Sequence, residues 1–410
     1  MRKPELLAPA GNMEKLKTAV HYGADAVYLG GAAFGLRNLA DNFSPAEMAT
    51  ALEYCHDRGV RAYLTVNSYP HNQALDQLQC FLAEVAPLPF DAYIVADPGV
   101  MTLVREISPE RELHLSTQAN TINWRSARFW QGQGIGRINL AREMTLDAIS
   151  ETVARTGMEV EVFVHGALCI SYSGRCLLSS AMAGRDANQG ECAHPCRWNY
   201  HLVEEKRPGE YFPVLEEDGG TFIFNSRDLC LVEHLPELVG SCVASLKIEG
   251  RMKGIYYLAS VLRVYRQALD EYLADPSGWR CRPEWLEELS KLSHRGYTTG
   301  FLFGEPANIG QEYHSAYIRS HEFVGLVESR LADGSAIIGV RNRIRSGDRL
   351  EFIGPGMRSS HLRVERLQLL DDQGEVSMVE AANPNQRILM PLPFAADSFD
   401  LVRRQKEAVP

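Results

Sequence analysis

The sequence has no apolar run near the roughly 18 residues that a membrane-crossing helix requires. Its first residues, MRKPELLAPAGN, lack the apolar core and small-residue cleavage site of a secretory leader. The expectation is therefore a cytoplasmic protein with no membrane partner. No CxxC, HExxH, GxSxG or P-loop pattern occurs, nor the CxxxCxxC of radical-SAM barrels, so the commonest zinc, hydrolase and nucleotide signatures are absent. Gly132, Gly134 and Gly136 form GxGxG but precede a strand, the wrong side for a dinucleotide site. An excess of positive charge is lacking too: 52 acidic residues against 42 Lys and Arg give a net charge of −10. The surface as a whole does not attract polyanions, and RNA binding would need a local basic groove.

What is present is a chain of 410 residues, 45% hydrophobic, long enough for one large core and a smaller domain. Short apolar runs at 5–8, 26–29, 62–66, 92–95, 113–117, 137–141, 159–164 and 245–249 alternate with helical patterns, the signature of βα units around a parallel sheet. Helices are expected at 12–22, 45–58, 74–85, 98–106, 121–133, 145–156 and 255–272, with Asn12 and Ser44 as caps. Eight such units close a (β/α)8 TIM barrel, here an α/β catalytic domain over 1–305 with a long insertion after strand seven, at about 166–240. Within the insertion, 200–220 reads as a hairpin excursion, 221–225 as a strand and 226–238 as a helix. From about residue 318 to 405 the pattern becomes short strands separated by turns, a small C-terminal β-barrel. Arg341, Arg343, Arg345, Arg349, Arg358, Arg363 and Arg366 concentrate there, on either a solvated surface or an RNA-contacting face.

In a TIM barrel the active site gathers at the carboxyl ends of the strands. Those ends carry Asn67, Asp97, Gln118 with Asn120, Arg142 with Glu143, His165, and Glu249 with Arg251. Any of them can serve as a helix cap or loop hydrogen-bonder, and Asp97 and Asn120, each ahead of a helix, fit that plainer role. Arg142, His165 and Arg251 cap nothing obvious and, with Glu249, are the catalytic candidates. Asn67, Gln118 and Asn120 are the substrate-binding candidates.

Four of the nine cysteines stand at 169, 176, 192 and 196, separated by six, fifteen and three residues directly after strand seven. Thiolates are soft ligands, and in a reducing compartment clustered cysteines are more often metal ligands or catalytic thiols than disulfides. Without a CxxC knuckle the spacing favours a [4Fe-4S] cluster, while structural zinc and unligated or redox thiols stay open. Cys55, Cys80, Cys230, Cys242 and Cys281 read as buried small hydrophobes, with Cys230 the substitute ligand for Cys196.

The segment EVFVHGALCISYSGRCLLS, at 161–179, fits the signature of the U32 peptidase-like family over its whole length. ELLAPAG, YGADAVYLGG, VNSYPHN, HLSTQANTINW, NQGECAHPCRW, RPGEY, NSRDLC, SLKIEGRMK and SHRGYTTGF extend the resemblance along nearly the whole chain, toward the branch that hydroxylates tRNA. The resemblance implies a TIM barrel with a C-terminal β-barrel. It also implies oxygen-independent formation of 5-hydroxyuridine at the wobble position of the tRNA anticodon stem-loop, with prephenate as hydroxyl donor. By position it makes Cys169, Cys176, Cys192 and Cys196 the ligands of a [4Fe-4S] cluster, with an electron donor or iron–sulfur assembly machinery as partners. Arg142 and Arg251 would then bind the donor's carboxylates, since a planar guanidinium pairs bidentately with a carboxylate. The rival readings are a collagenase-like peptidase, with a cysteine paired to His165 or His194, and a non-catalytic RNA-binding or assembly factor.

Overall fold

The computed structural model describes residues 3–31, 34–35, 42–169, 171–198, 201–202, 212–213, 227–304, 320–371 and 373–406. The chain divides into two compact units: Met1–Leu16, Ala24–Lys253 and His294–Tyr317 form one, and Lys17–Gly23, Gly254–Ser293 and Ile318–Pro410 the other. No helix among the described residues is long and apolar enough to cross a membrane.

The first unit is a barrel of eight parallel strands: β1 (Glu5–Pro9), β2 (Ala26–Gly30), β3 (Arg61–Val66), β4 (Ala92–Val95), β5 (Leu113–Leu115), β6 (Arg137–Asn139), β7 (Glu159–Ala167) and β8 (Ser245–Ile248). It closes because β8 pairs with both neighbours, Glu5 opposite Ser245 on one side and Ser245 opposite Glu161 on the other. This is the TIM barrel expected from the strand count.

The crossovers obey local signals. Helix α1 (Met13–His21) starts where Asn12 Oδ1 accepts the Lys15 amide at 2.9 Å. Ahead of α2 (Pro45–His56), Ser44 and Glu47 form a reciprocal capping box. The next helix, α3, is Leu75–Val85. Asp97 caps α4 (Pro98–Ile107) through the Val100 amide at 3.1 Å, so this strand-end carboxylate has the plainer role. Helix α5 (Trp124–Gly132) is capped by Asn123. Thr145 caps α6 (Leu146–Thr156), which Gly157 ends in the left-handed conformation that lets the chain turn into β7.

Several expectations need correction. The helix expected at 121–133 is the shorter α5, and Asn120 is not its cap but a left-handed residue closing the short turn Thr117–Ala119. The helix expected at 226–238 begins as a strand, Asp228–Cys230, antiparallel to the end of β7, and only Leu235–Gly240 is α-helical. Pairing with the unsatisfied edge of β7 outweighs local helix preference there. His201–Leu202 pairs antiparallel with Phe212–Pro213, and the strand expected at 221–225 lies outside the described residues. Of the five cysteines taken as buried hydrophobes, Cys55 alone is buried; Cys80 and Cys242 are exposed, and Cys230 and Cys281 are half-buried.

The barrel interior is more charged than the branched aliphatic layers usual in this fold. Glu5 is bound by Arg137 Nη1 at 2.8 Å and by the Tyr63 hydroxyl at 2.7 Å, and Lys247 Nζ meets Glu161 Oε1 at 2.8 Å. Burial by itself would raise the Glu161 carboxyl; Lys247 and then Arg137 outweigh it and hold the group below the usual carboxylate range.

The second unit is built on a curled antiparallel sheet of eight strands, among them His321–Arg330, Ser335–Val340, Arg349–Ile353, Ser359–Arg363 and Leu401–Gln405. Val324, Ile338, Leu350, Phe352, Ile388 and Val402 fill its core. The run LRVERLQLL, at 362–370, is divided between the strands Ser359–Arg363 and Leu367–Leu370. At that break Val364 is buried and exchanges backbone hydrogen bonds with the turn at Gly347 and Asp348. Arg403, fully buried, donates to both oxygens of Glu288 (2.8 and 2.7 Å) and both of Glu351 (2.8 Å each).

Removing that guanidinium leaves the half-buried Glu351 without its cation and the buried Glu288 with only the longer contacts of Arg263 (3.4 Å) and Lys291 (3.5 Å); breaking a buried pair in this way costs about 3–5 kcal/mol. Arg403→Met should therefore lower the urea midpoint of this unit at pH 7. Burial would raise the Glu351 carboxyl, but hydrogen bonds from Arg403 bring it down to about 2. Its stabilisation is present above the unfolded value of about 4.3 and is lost as pH falls toward 2. Urea titrations at pH 7 and pH 3 should show a larger acid loss in the wild type than in Arg403→Met.

Candidate active site

Strand β7 reads EVEVFVHGA, and its period-two alternation turns Glu161 and Phe163 inward while Val160, Val162 and Val164 pack on the other face. A column of side chains results along the barrel wall. Glu161 binds Lys247, whose Nζ lies 4.6 Å from the Tyr28 ring centroid and 5.6 Å from that of Phe163. On Phe163 rests the Arg142 guanidinium, 3.8 Å from the ring centroid. Arg142 Nη2 is 3.3 Å from Glu249 Oε2, and Nη1 is 3.9 Å from Cys169 Sγ. The structure thus brings together Arg142, Glu249 and Cys169 from three separate strand ends. Between β7 and β8 the register shifts after Lys247 opposite Phe163. Such irregularities re-aim side chains at the rims of barrels.

Arg251 has different surroundings. It is 3% exposed, and its guanidinium donates to Thr65 Oγ1 at 3.1 Å and to Asn42 Oδ1. A Cβ on Gly30 would lie 2.8 Å from its Nη1, so glycine at the end of β2 makes room for it. Arg251 ties the ends of β2 and β3 to the loop after β8, whereas Arg142 stands at the mouth with its neighbours on two sides.

His165 is buried, 5.4 Å from the Tyr297 ring, which in turn stacks on His294 at 4.3 Å. Burial first, and the nearby positive charges of Lys253 and His294 second, push its imidazole down to about 3. At neutral pH it is uncharged and a poor base, and its backbone carbonyl accepts the Glu249 amide at 2.9 Å.

The cysteine segment is tied across the strand ends. Ser173 donates from its amide to Glu143 Oε1 at 3.1 Å and from its hydroxyl to Glu143 Oε2 at 3.3 Å. Gly174, at φ +74°, sits so close to the Gln118 backbone that a Cβ would overlap the carbonyl oxygen; no side chain fits there. Tyr69, after β3, donates from its hydroxyl to the Gln118 carbonyl at 2.6 Å and from its amide to the Asn188 carbonyl at 3.3 Å, and Gln189 Nε2 donates to the Tyr69 carbonyl. The segment is therefore fastened at the ends of β3, β5 and β6. Of the substrate-binding candidates, Gln118 forms part of this seat, Asn67 donates to Ser116 Oγ at 3.1 Å, and Asn120 keeps a buried side-chain oxygen with no hydrogen-bond partner among the described residues.

All four thiols of the segment are free of disulfides and none is buried. Cys192 Sγ accepts the His194 amide at 3.4 Å, the Cys176 carbonyl accepts Asn188 Nδ2 at 3.3 Å, and Cys196 lies on the short turn Pro195–Arg197. Four thiols outside any disulfide on one segment are chemically a donor set for an iron–sulfur cluster. Among the described residues no three Cys, His, Asp or Glu side chains are gathered closely enough to hold a metal ion. Sequence reasoning missed Tyr69, Gly174, Phe163 and Lys247. The alternation in β7 could have revealed Phe163, whereas Tyr69 and Gly174 carry no local pattern.

Comparison with known proteins places these features in a family. The description "Peptidase family U32" matches residues 11–312, and "Peptidase family U32 C-terminal domain" matches 319–403. The chain is 40% identical over 407 residues to tRNA hydroxylation protein P1 of Bacillus subtilis, covering 99% of this chain and 96% of that one. It is 39% identical to tRNA hydroxylation protein P of Escherichia coli, over 87% of each. The 23S rRNA 5-hydroxycytidine C2501 synthase of Escherichia coli is 33% identical, over 85% of this chain and 52% of that one. The chain belongs to peptidase family U32.

Proposed function

We propose that this protein hydroxylates a pyrimidine base of tRNA, converting the wobble uridine to 5-hydroxyuridine without molecular oxygen and taking the hydroxyl from prephenate. The observation that carries the reading is the clasp at the barrel mouth: a segment with four cysteines fastened over the strand ends, with Arg142 fixed between Phe163, Glu249 and Cys169 beside it. Relatives covering nearly the same length are named for tRNA hydroxylation, which supports RNA as the substrate class. In this reading Cys169, Cys176, Cys192 and Cys196 hold a [4Fe-4S] cluster, delivered by assembly machinery and served by an electron donor in the cytoplasm. When bound, such a cluster supplies one-electron chemistry at a potential set by its surroundings.

The protein's own groups do the positioning. Arg142 offers a flat, permanently charged fork whose face is held by Phe163 and whose orientation is held by Glu249, leaving it pre-set for a carboxylate of the donor. Arg251, already engaged by Thr65 and Asn42, orders the floor of the mouth. A single-stranded anticodon base can be splayed into a pocket of this kind and read by its edge, with the unpartnered Asn120 oxygen as one acceptor for a base N–H. His165, neutral and buried, supports the Tyr297 side of the mouth and moves no proton.

Mass spectrometry of tRNA nucleosides from cells lacking the gene tests the reading directly. Loss of 5-hydroxyuridine and its derivatives, restored by the wild type and not by Cys169→Ala, is the expected result, and unchanged nucleosides would sink the proposal. Anaerobically purified Cys169→Ala should also lack the brown colour of an iron–sulfur protein.

Arg142→Lys keeps the charge but loses the fork and the flat contact with Phe163. It should lower kcat/KM for the donor by about 10- to 100-fold, the worth of a charge-assisted hydrogen bond of roughly 1.5–3 kcal/mol. Steady-state kinetics with prephenate varied at saturating tRNA would measure it. A peptidase would instead cleave gelatin in a manner abolished by thiol alkylation.

A further inference from the structure

The concentration of arginines in the second unit resolves into two kinds of residue. Arg358 is engaged, with Nη2 bonded to Asp397 at 2.7 Å and to Asp400 at 2.8 Å. Arg343, Arg345, Arg349, Arg363 and Arg366 are exposed, and among the described residues none of the five has a carboxylate partner. Arg349 stands directly opposite Arg363 in the antiparallel ladder between Arg349–Ile353 and Ser359–Arg363. Beyond that pair the ladder continues through Val364, whose amide donates to the Asp348 carbonyl at 2.8 Å, and the Ser346 hydroxyl donates to the Glu365 carbonyl at 2.8 Å. The turn carrying Arg345 and Arg349 therefore lies alongside the segment carrying Arg363 and Arg366.

Like charges facing each other across two strands destabilise a sheet. The carboxylates that could relieve this pair are already taken: Asp348 binds Arg404 at 2.6 Å, and Glu351, next on the same face of its strand, binds Arg403. Glu365 lies between Arg363 and Arg366 in sequence and forms no ion pair among the described residues. The second unit thus holds one edge of its sheet cationic in a chain of net charge −10, while its buried arginines are fully neutralised.

We propose that this edge, centred on Arg349 and Arg363, binds the phosphate backbone of RNA. The proposal rests on the tRNA reading above and adds the surface through which the second unit holds the substrate. Guanidinium forks match phosphate oxygens bidentately, and opposed forks on neighbouring strands can each take one phosphate, whose negative charge removes their mutual repulsion. Phosphate recognition of this type fixes register and orientation without reading sequence, a role separate from base recognition at the barrel mouth.

The test compares full-length, cluster-loaded wild type with the double variant Arg349→Ala, Arg363→Ala. Binding of unmodified tRNA is followed by fluorescence anisotropy across a salt series. Without these two guanidinium–phosphate pairs, affinity at about 0.1 M salt should fall about tenfold or more, and the slope of log K against log salt should shrink by about 1.5, at roughly 0.7 to 0.9 per phosphate. The KM for tRNA should rise by a similar factor while the KM for the small-molecule hydroxyl donor stays in place. Thermal stability should be equal to or above that of the wild type, because a repulsive pair has been removed. Unchanged affinity and slope would overturn the proposal and leave the tRNA reading standing. A lowered melting temperature would mark the pair as structural and also overturn it. Wild type that binds no tRNA at any salt would remove both readings together.

Discussion

Two carboxylates inside a barrel set the terms for the rest of the structure. Glu161 on β7 and Glu5 on β1 are almost fully buried, where each unpaired charge would cost several kcal/mol. Opposite charges about 4 Å apart return roughly 4 kcal/mol at the effective dielectric of a protein. Pairing can therefore offset the burial but leaves no surplus with which to tolerate a missing partner. Arg137 and Lys247 are consequently fixed by their neighbours. Lys247 in turn presents its charge to Phe163, and the other cation on that ring is Arg142. The position of Arg142 thus depends on ion pairs deeper in the barrel.

The cysteine segment obeys a different constraint, one of space. Its approach to the barrel is limited by the backbone of Gln118, against which only glycine fits at position 174, and by the two hydrogen bonds that Glu143 accepts from Ser173. Tyr69 then links the far side of the segment to the Gln118 carbonyl. Three strand ends hold one loop. Cys169 is anchored close to β7 beside Arg142, whereas Cys192 accepts the His194 amide and Cys196 lies on the turn Pro195–Arg197.

The alternation of apolar runs with helical patterns made the barrel legible from sequence, because eight βα units have few other ways to bury their strands. Caps at Asn12, Ser44 and Asp97 were equally plain, since each depends on atoms three residues away. What stayed hidden depends on distance along the chain. Asp228–Cys230 is a strand only because the end of β7 offers it a partner, and Asn120 yields its capping role to Asn123 because a left-handed turn intervenes. At the site, the strand ends were located correctly by position, but nothing local distinguishes Arg142 from Arg251. Their difference lies in what Thr65, Asn42 and Gly30 do around one and what Phe163 and Glu249 do around the other.

That difference decides which of the two arginines could take a further carboxylate. A cation buried between two oxygen acceptors, as Arg251 is between Thr65 and Asn42, strengthens the floor of a site but cannot exchange partners without leaving buried oxygens unpaired, a loss of about 1–3 kcal/mol for each. A cation resting on an aromatic face, with a carboxylate at its edge, can take a second carboxylate while keeping its orientation, because the ring contact does not compete for its N–H groups. Phe163 therefore matters less for the area it buries than for holding the Arg142 guanidinium by its face without occupying an N–H group. With His165 held neutral by burial, Arg142 is the fixed positive charge that the described mouth presents next to Cys169, and a carboxylate brought there would lie beside the Cys169 thiol.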